Sequence, residues 1–380
     1  MYKIIRTSTI PLSLDLFCRG LLRELSSEYE IVALSSPQSE LADIATREEV
    51  RTIAVPMCRG MAPMRDAVAL WRMVKVLRRE RPQMVHSMTP KAGLLSMLAA
   101  RIAGVPVRVH TFTGLLFPTQ SGLRRRILML ADRVICRCAT HVIAEGEGVR
   151  SDLMEYGITK KDVRVLGYGN VRGIDLNYYA RTPMVEAEAA RIRKRLGVSE
   201  ATFTFVFVGR MVHDKGIDEL VDAFSRLSGE GCDVCLLLVG DEEAADPISN
   251  RSKRIIAESD RICAAGWQQD VRAWYAAADA LVFPSHREGF PNAVLEAGAM
   301  GLASIVTDIC GSREIITDGR NGVIVPPCDA RALYGAMKSI MADRQRAVVM
   351  GADARRIVIE RYEQGFVRSK LREFYRSVLQ

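Results

Sequence analysis

Residues 202–227 read TFTFVFVGRMVHDKGIDELVDAFSRL, and this run decides the fold. Thr202 to Val208 are all β-branched or aromatic, the composition of a strand buried on both faces. Gly209 ends the run. After Gly216, Ile217, Leu220, Val221, Phe224 and Leu227 recur at three and four, which predicts a helix with one apolar face. A buried strand that passes through a glycine-bounded turn into such a helix belongs to a parallel sheet covered by helices.

The same alternation continues in both directions. Downstream, VCLLLVG, RICAAGW, ALVFPS, ASIVTD and GVIVPP read as further strands, separated by helical stretches or short turns. After Pro327 the chain reads as helix to its end. Upstream, KIIRT, EIVALSS, VRTIAVP, MVHSM, VRVHTF, HVIAEG and VRVLG form an earlier series, with PMRDAVALWRMVKVLRRE and KAGLLSMLAARIAG as helices between strands. Between the two series the alternation lapses into GYGNVRGIDLNYYARTPMVEAEAARIRKRLGV, turn-rich and then strongly charged. At 380 residues, two cores are expected rather than one. The expected organisation is an α/β protein of two doubly wound, Rossmann-like domains: 1–170, a connector and hinge at 171–197, 198–360, and a final helix, 361–380, returning to the first domain.

Composition narrows the function. The chain is 48% hydrophobic and 26% charged, which suits a globular protein and excludes a fibrous or disordered one. Of the +8 net charge, residues 1–180 hold 26 Lys/Arg against 17 Asp/Glu. Many of these cations sit in two helical stretches: Arg72, Lys75, Arg78, Arg79 and Arg81 in one, and Arg124, Arg125, Arg126, Arg133 and Arg137 in the other. Such a surface attracts an anionic bilayer, a diphosphate-bearing acceptor or nucleic acid, and a solvated helix face explains it equally. A nucleic-acid binder is disfavoured by 6% aromatic content and the lack of a reading motif. Nine scattered cysteines and an opening that passes straight into a strand imply a reducing, cytoplasmic setting. The pair Cys232 and Cys235 lies in a buried strand and forms no metal or redox motif. The longest apolar stretch, from Ala92, is broken by Arg101 and too short to span a bilayer, so any membrane contact is peripheral.

Ligands of open α/β sheets bind beyond the carboxyl ends of the strands, and two motifs fall there. In Gly209–Gly216, Arg210 offers a fork of donors and Lys215 a point charge, a pairing suited to a diphosphate. EGFPNAVLE follows the strand ALVFPS, with Pro291 placed to open a helix whose first N–H groups, near Phe290, Asn292 and Ala293, face an anion. Glu288 and Glu296 stand about two helical turns apart, and carboxylates are paired acceptors for sugar diols.

Together GRMVHDKG, EGFPNAVLE and VTDICGSREIITDGRNGVIVPPCD resemble glycosyltransferase family 4, retaining enzymes of the GT-B fold, over nearly the whole chain. The resemblance implies a nucleoside diphosphate sugar donor held by Arg210, Lys215, Glu288, Gly289, Phe290, Pro291, Asn292 and Glu296, with Glu314 as a further donor-side residue. It gives His110, at the end of VRVHTF, the place of an active-site histidine beside Glu288, Arg210 and Lys215. HSMTPKAG, with His86 and Lys91, and GYGNVRGID, with Asn170, resemble the subgroup that builds capsules, O-antigens and lipid-linked glycans, and suggest acceptor and hinge roles. The first strand-to-helix turn, Thr7-Ser8-Thr9-Ile10-Pro11, departs from the glycine-rich loop of many members, leaving those hydroxyls to donate instead.

From these follow a transfer from a UDP-sugar to a hydroxyl of a lipid-linked glycan, no cofactor and no metal, and a peripheral position on the inner face of the cytoplasmic membrane. An epimerase or phosphorylase of the same fold, and a nucleotide-sugar-binding protein without catalysis, are the alternatives.

Overall fold

The computed structural model describes residues 1–58 and 60–380. The chain forms two compact units, Met1–Gly173 with Gly365–Gln380, and Ile174–Gln364. The first contains seven strands: β1 (Lys3–Thr7), β2 (Glu30–Ser35), β3 (Arg51–Ala54), β4 (Met84–Ser87), β5 (Val107–Phe112), β6 (His141–Ala144) and β7 (Val163–Val165). The second contains six: β8 (Phe203–Val208), β9 (Val234–Val239), β10 (Ile262–Gly266), β11 (Ala280–Phe283), β12 (Ala303–Thr307) and β13 (Gly322–Val325). Their orders are β3-β2-β1-β4-β5-β6-β7 and β10-β9-β8-β11-β12-β13. Strands β1 and β8 therefore hold equivalent central places.

Every strand pair is parallel, which explains the unbroken apolar runs, since both faces are covered by helices. Register in the first sheet positions polar side chains. Arg6 pairs with His86 across β1 and β4, and Ser87 with His110 across β4 and β5. Because side chains alternate along a strand, His86 faces the terminal helix Gln364–Leu379, whereas His110 faces the helix Pro90–Ala103.

The terminal helix joins the first unit for a physical reason. Val367, Leu371, Phe374, Tyr375 and Leu379 form its buried face, and the last four enter the same apolar cluster as Ile4, Leu22 and Ile143. Each such side chain contributes about 1.5–3 kcal/mol by leaving water. Arg368 and Arg372 pair with Glu24, and Arg376 with Glu28, at the helix margin.

The stretch 171–197 is not an extended connector. From Ile174 onward it belongs to the second unit, where Thr182 caps a helix, Pro183–Arg195, by accepting from Val185 N–H. Val185, Ala189 and Ile192 bury one stripe of that helix within a segment whose many charges suggested a linker.

Candidate active site

In the second unit the turn after β8 and the loop after β11 meet. Gly216 follows a single 3-10 turn, His213–Lys215, with φ 68°, and a Cβ there would strike the Pro284 carbonyl oxygen. This close approach requires glycine. Asp214 ties the two loops together: its backbone carbonyl accepts from His286 N–H at 2.9 Å and Ser285 Oγ at 3.1 Å, while its carboxylate accepts from Arg287 Nε at 2.9 Å. Thr307 Oγ1 donates to the Ser285 carbonyl.

The result is an ion pair between Lys215 Nζ and Glu288, with both side chains 15% exposed. Lys215 Nζ also stands 5.3 Å from the centroid of the Phe283 ring. Arg210 is more open and pairs with Glu243 at 2.7 Å. Pro291 occupies the position before the helix Asn292–Ala299, one residue earlier than the sequence suggests. Gly289 and Phe290 lie against Gly311, where a Cβ would overlap the Gly289 carbonyl. Phe290 is buried, 5.5 Å from the Tyr362 ring. Glu296 is buried and accepts from Tyr275 Oη at 3.2 Å. Glu314 lies in the short helix Ser312–Ile315, and its backbone carbonyl accepts from Tyr362 Oη at 3.0 Å. Arg210, Lys215, Glu288 and Glu296 thus come from the carboxyl-end loops of β8 and β11 and the helix behind them.

In the first unit His110 is 2% exposed. Its Nδ1 lies 2.8 Å from Ser87 Oγ, Phe112 meets its ring edge-on at 4.5 Å, and a Cβ on Gly93 would overlap the ring. Burial pushes the imidazole down to about 3, so it stays neutral through the ordinary pH range. It lines a cavity of about 30 Å³ with Thr111, Thr113, Leu128 and Asp132. Burial alone pushes Asp132 up to about 7. Sequence reading missed this residue among the arginines of Gly122–Cys138. Its signal was a lone acid on the apolar stripe, four residues after Leu128 and three before Ile135.

The remaining first-unit residues have internal partners. His86 is fully engaged: Nδ1 accepts from Arg6 at 2.6 Å and lies 2.6 Å from Tyr375 Oη, and Nε2 lies 2.7 Å from Thr111 Oγ1. Burial, and then the Arg6 charge, hold it well below its ordinary range. It locks the terminal helix to the sheet. Lys91 pairs with Asp66. Asn170 adopts φ 59° and accepts from Gly173 N–H at 2.6 Å, stabilising the turn that ends the first unit's main segment. Thr7 meets Ser96 at 2.8 Å, Ser8 donates to the Ile10 carbonyl at 2.6 Å, and Thr9 meets Thr89 at 2.8 Å. These three hydroxyls are buried and already partnered, so the first turn does not present them as donors.

Comparison with known proteins fits this arrangement. The family described as "Glycosyl transferase 4-like domain" matches residues 16–169, and "Glycosyl transferases group 1" matches residues 202–343. The capsular polysaccharide biosynthesis glycosyltransferase CapM of Staphylococcus aureus is 27% identical over 382 residues, spanning 99% of this chain and 97% of that protein. The UDP-Gal:alpha-D-GlcNAc-diphosphoundecaprenol alpha-1,3-galactosyltransferase of Escherichia coli is 26% identical over 326 residues, spanning 84% of this chain and 82% of that protein. Anabaena HepE, solved in complex with UDP, matches in fold with a TM-score of 0.81 at 19% identity, over 99% of this chain and 100% of that one.

Two Rossmann-like units with these motifs define a glycosyltransferase of the GT-B fold. Within that class the chain is of the family 4 type, and it resembles the group whose members include the capsule and lipid-linked-glycan transferases just named.

Proposed function

We propose that the protein transfers a glycosyl group, with retention, from a UDP-sugar to a hydroxyl of a lipid-linked glycan acceptor, without a metal ion. The observation that carries this reading is the Lys215–Glu288 pair, assembled by two carboxyl-end loops, one of which also carries Arg210 while the other leads into the helix of Glu296. As the bond from the anomeric carbon to the β-phosphate oxygen breaks, negative charge grows on the departing diphosphate. Lys215 and Arg210 neutralise that charge, and Glu288 accepts from donor-sugar hydroxyls. The acceptor oxygen bonds the anomeric carbon from the same face, and its proton passes to the departing phosphate oxygen. Glu296 accepts from the ribose diol. His110 remains a neutral hydrogen-bonding group. The UDP in the HepE complex and the diphosphoundecaprenol substrate in the Escherichia coli relative's name support these choices of donor and acceptor.

The acceptor reading assigns a membrane role to the first unit. The helix Pro63–Glu80 exposes Met64, Val68 and Trp71 beside Arg72, Lys75 and Arg78; the helix Gly122–Cys138 exposes Leu123, Ile127 and Leu130 beside Arg124 and Arg126. Both pack on Pro90–Ala103, forming one layer. Apolar side chains among exposed cations suit the interface of an anionic bilayer. No helix among the described residues is long and apolar enough to cross a membrane.

Transfer from UDP-sugars to a polyprenyl-diphosphate monosaccharide, assayed in EDTA, tests the reaction. Turnover should persist in chelator. Turnover abolished by EDTA and restored by magnesium or manganese contradicts metal independence. Anionic vesicles should recruit wild-type protein at low salt and lose the M64S/W71S/L123S variant; equal recruitment of both removes the membrane role.

A further inference from the structure

Three segments of the second unit bring together one nitrogen, one oxygen and one sulfur donor. Glu219 comes from the first turn of the helix Ile217–Gly229, His286 from the loop after β11, and Cys328 from the loop after β13. One ligand atom of each lies within 4.8 Å of the others. His286 Nε2 is 3.1 Å from Glu219 Oε1. Glu219 Oε2, by contrast, is sealed from water and has no hydrogen-bond partner among the described residues. An orphaned carboxylate oxygen is unfavourable unless something else satisfies it.

The surrounding backbone holds the donors in place. His286 N–H is fixed on the Asp214 carbonyl at 2.9 Å, and Asp329, next to Cys328, caps the following helix by accepting from Arg331 and Ala332 N–H, each at 2.9 Å. Cys328 is exposed, which leaves an entry path.

We propose that Glu219, His286 and Cys328 form a divalent metal site of the zinc class, three protein ligands with a fourth position open to water. The donor set selects the ion. Magnesium and calcium favour oxygen donors throughout, whereas zinc takes thiolate, imidazole and carboxylate together. Zinc takes the sulfur as thiolate, so its capture releases the thiol proton of Cys328 to water. The proposal concerns metal capture alone and does not depend on the sugar-nucleotide reading.

Alkylation by iodoacetamide, mapped cysteine by cysteine with mass spectrometry, tests it on the full chain. Micromolar zinc sulfate should slow modification of Cys328 at least about tenfold. H286N and E219Q should each lose most of that protection. Calorimetric titration with zinc should find one site that disappears in C328S, a change at an exposed side chain that spares the fold. Unchanged Cys328 reactivity with zinc, full protection surviving in both H286N and E219Q, or the same zinc stoichiometry in C328S would each overturn the proposal.

Discussion

The turns after β1 and β8 occupy equivalent places in two sheets of like order, yet their polar groups meet opposite fates. After β1, the hydroxyls of Thr7, Ser8 and Thr9 are buried, Thr7 and Thr9 bonded to Ser96 and Thr89 and Ser8 to the Ile10 carbonyl within the turn. After β8, Arg210 remains largely open, and Lys215 pairs with Glu288 on another loop. The first turn uses two of its hydroxyls to tie the helix Pro90–Ala103 to the sheet. The second aims charges toward the place where α/β sheets bind ligands. Equivalent topology therefore does not distribute chemistry equally; unspent or re-partnerable charge does.

The sharpest break between the two turns is K215A against T9V. Losing Lys215 should lower transfer kcat/KM by about 10²–10³-fold, the scale of one preorganised contact to developing charge. T9V removes a hydroxyl that bonds Thr89, so it should lower stability by about 1 kcal/mol with little change in kcat/KM. Steady-state kinetics and chemical denaturation on both variants separate these outcomes.

The first unit also contains a polar lock, and Y375F probes it. Arg6 is buried and donates to Tyr375 Oη at 2.5 Å and to His86 Nδ1 at 2.6 Å. Removing the tyrosine hydroxyl leaves part of that guanidinium without an acceptor and should destabilise by about 1.5–3 kcal/mol, read from urea unfolding. An unchanged transition would mean another group takes over the bond.

Asp132 provides a pH-dependent contrast with the exposed charges of unit two. Its folded value of about 7 lies above the ordinary carboxylate range, so between those values the native state binds the extra proton. Wild-type stability must then fall relative to D132N as pH rises toward about 7 and level off beyond it. Tm(D132N) minus Tm(wild type), followed from pH 4 to pH 8, should rise and then flatten; a flat difference throughout contradicts the buried-acid assignment. A smaller effect is expected at Glu296. E296Q keeps the Tyr275 contact but weakens diol binding, raising KM for the UDP-sugar about tenfold while kcat holds.

The fold was legible because buried parallel strands leave apolar runs, such as FTFVFV and VCLLLV, that no surface segment needs. The loops of unit two were legible for a similar reason: glycines at 209 and 216 and the glutamates at 288 and 296 stand at fixed distances from those strands. The helix Pro183–Arg195 was hidden by its charged face, although three apolar residues suffice to bury it. His86 and Asp132 were obscure because their roles depend on partners remote in sequence. Tyr375, which fixes His86, lies 289 residues away, and the cavity of Asp132 is closed by two other segments.

The decisive experiment is nucleotide binding to the two cations after β8. Calorimetry with UDP should give a clear one-to-one isotherm for wild-type protein and none for R210A/K215A at the same concentrations, with the variant retaining its melting transition. Undiminished UDP affinity in that double variant would show that neither Arg210 nor Lys215 grips the diphosphate.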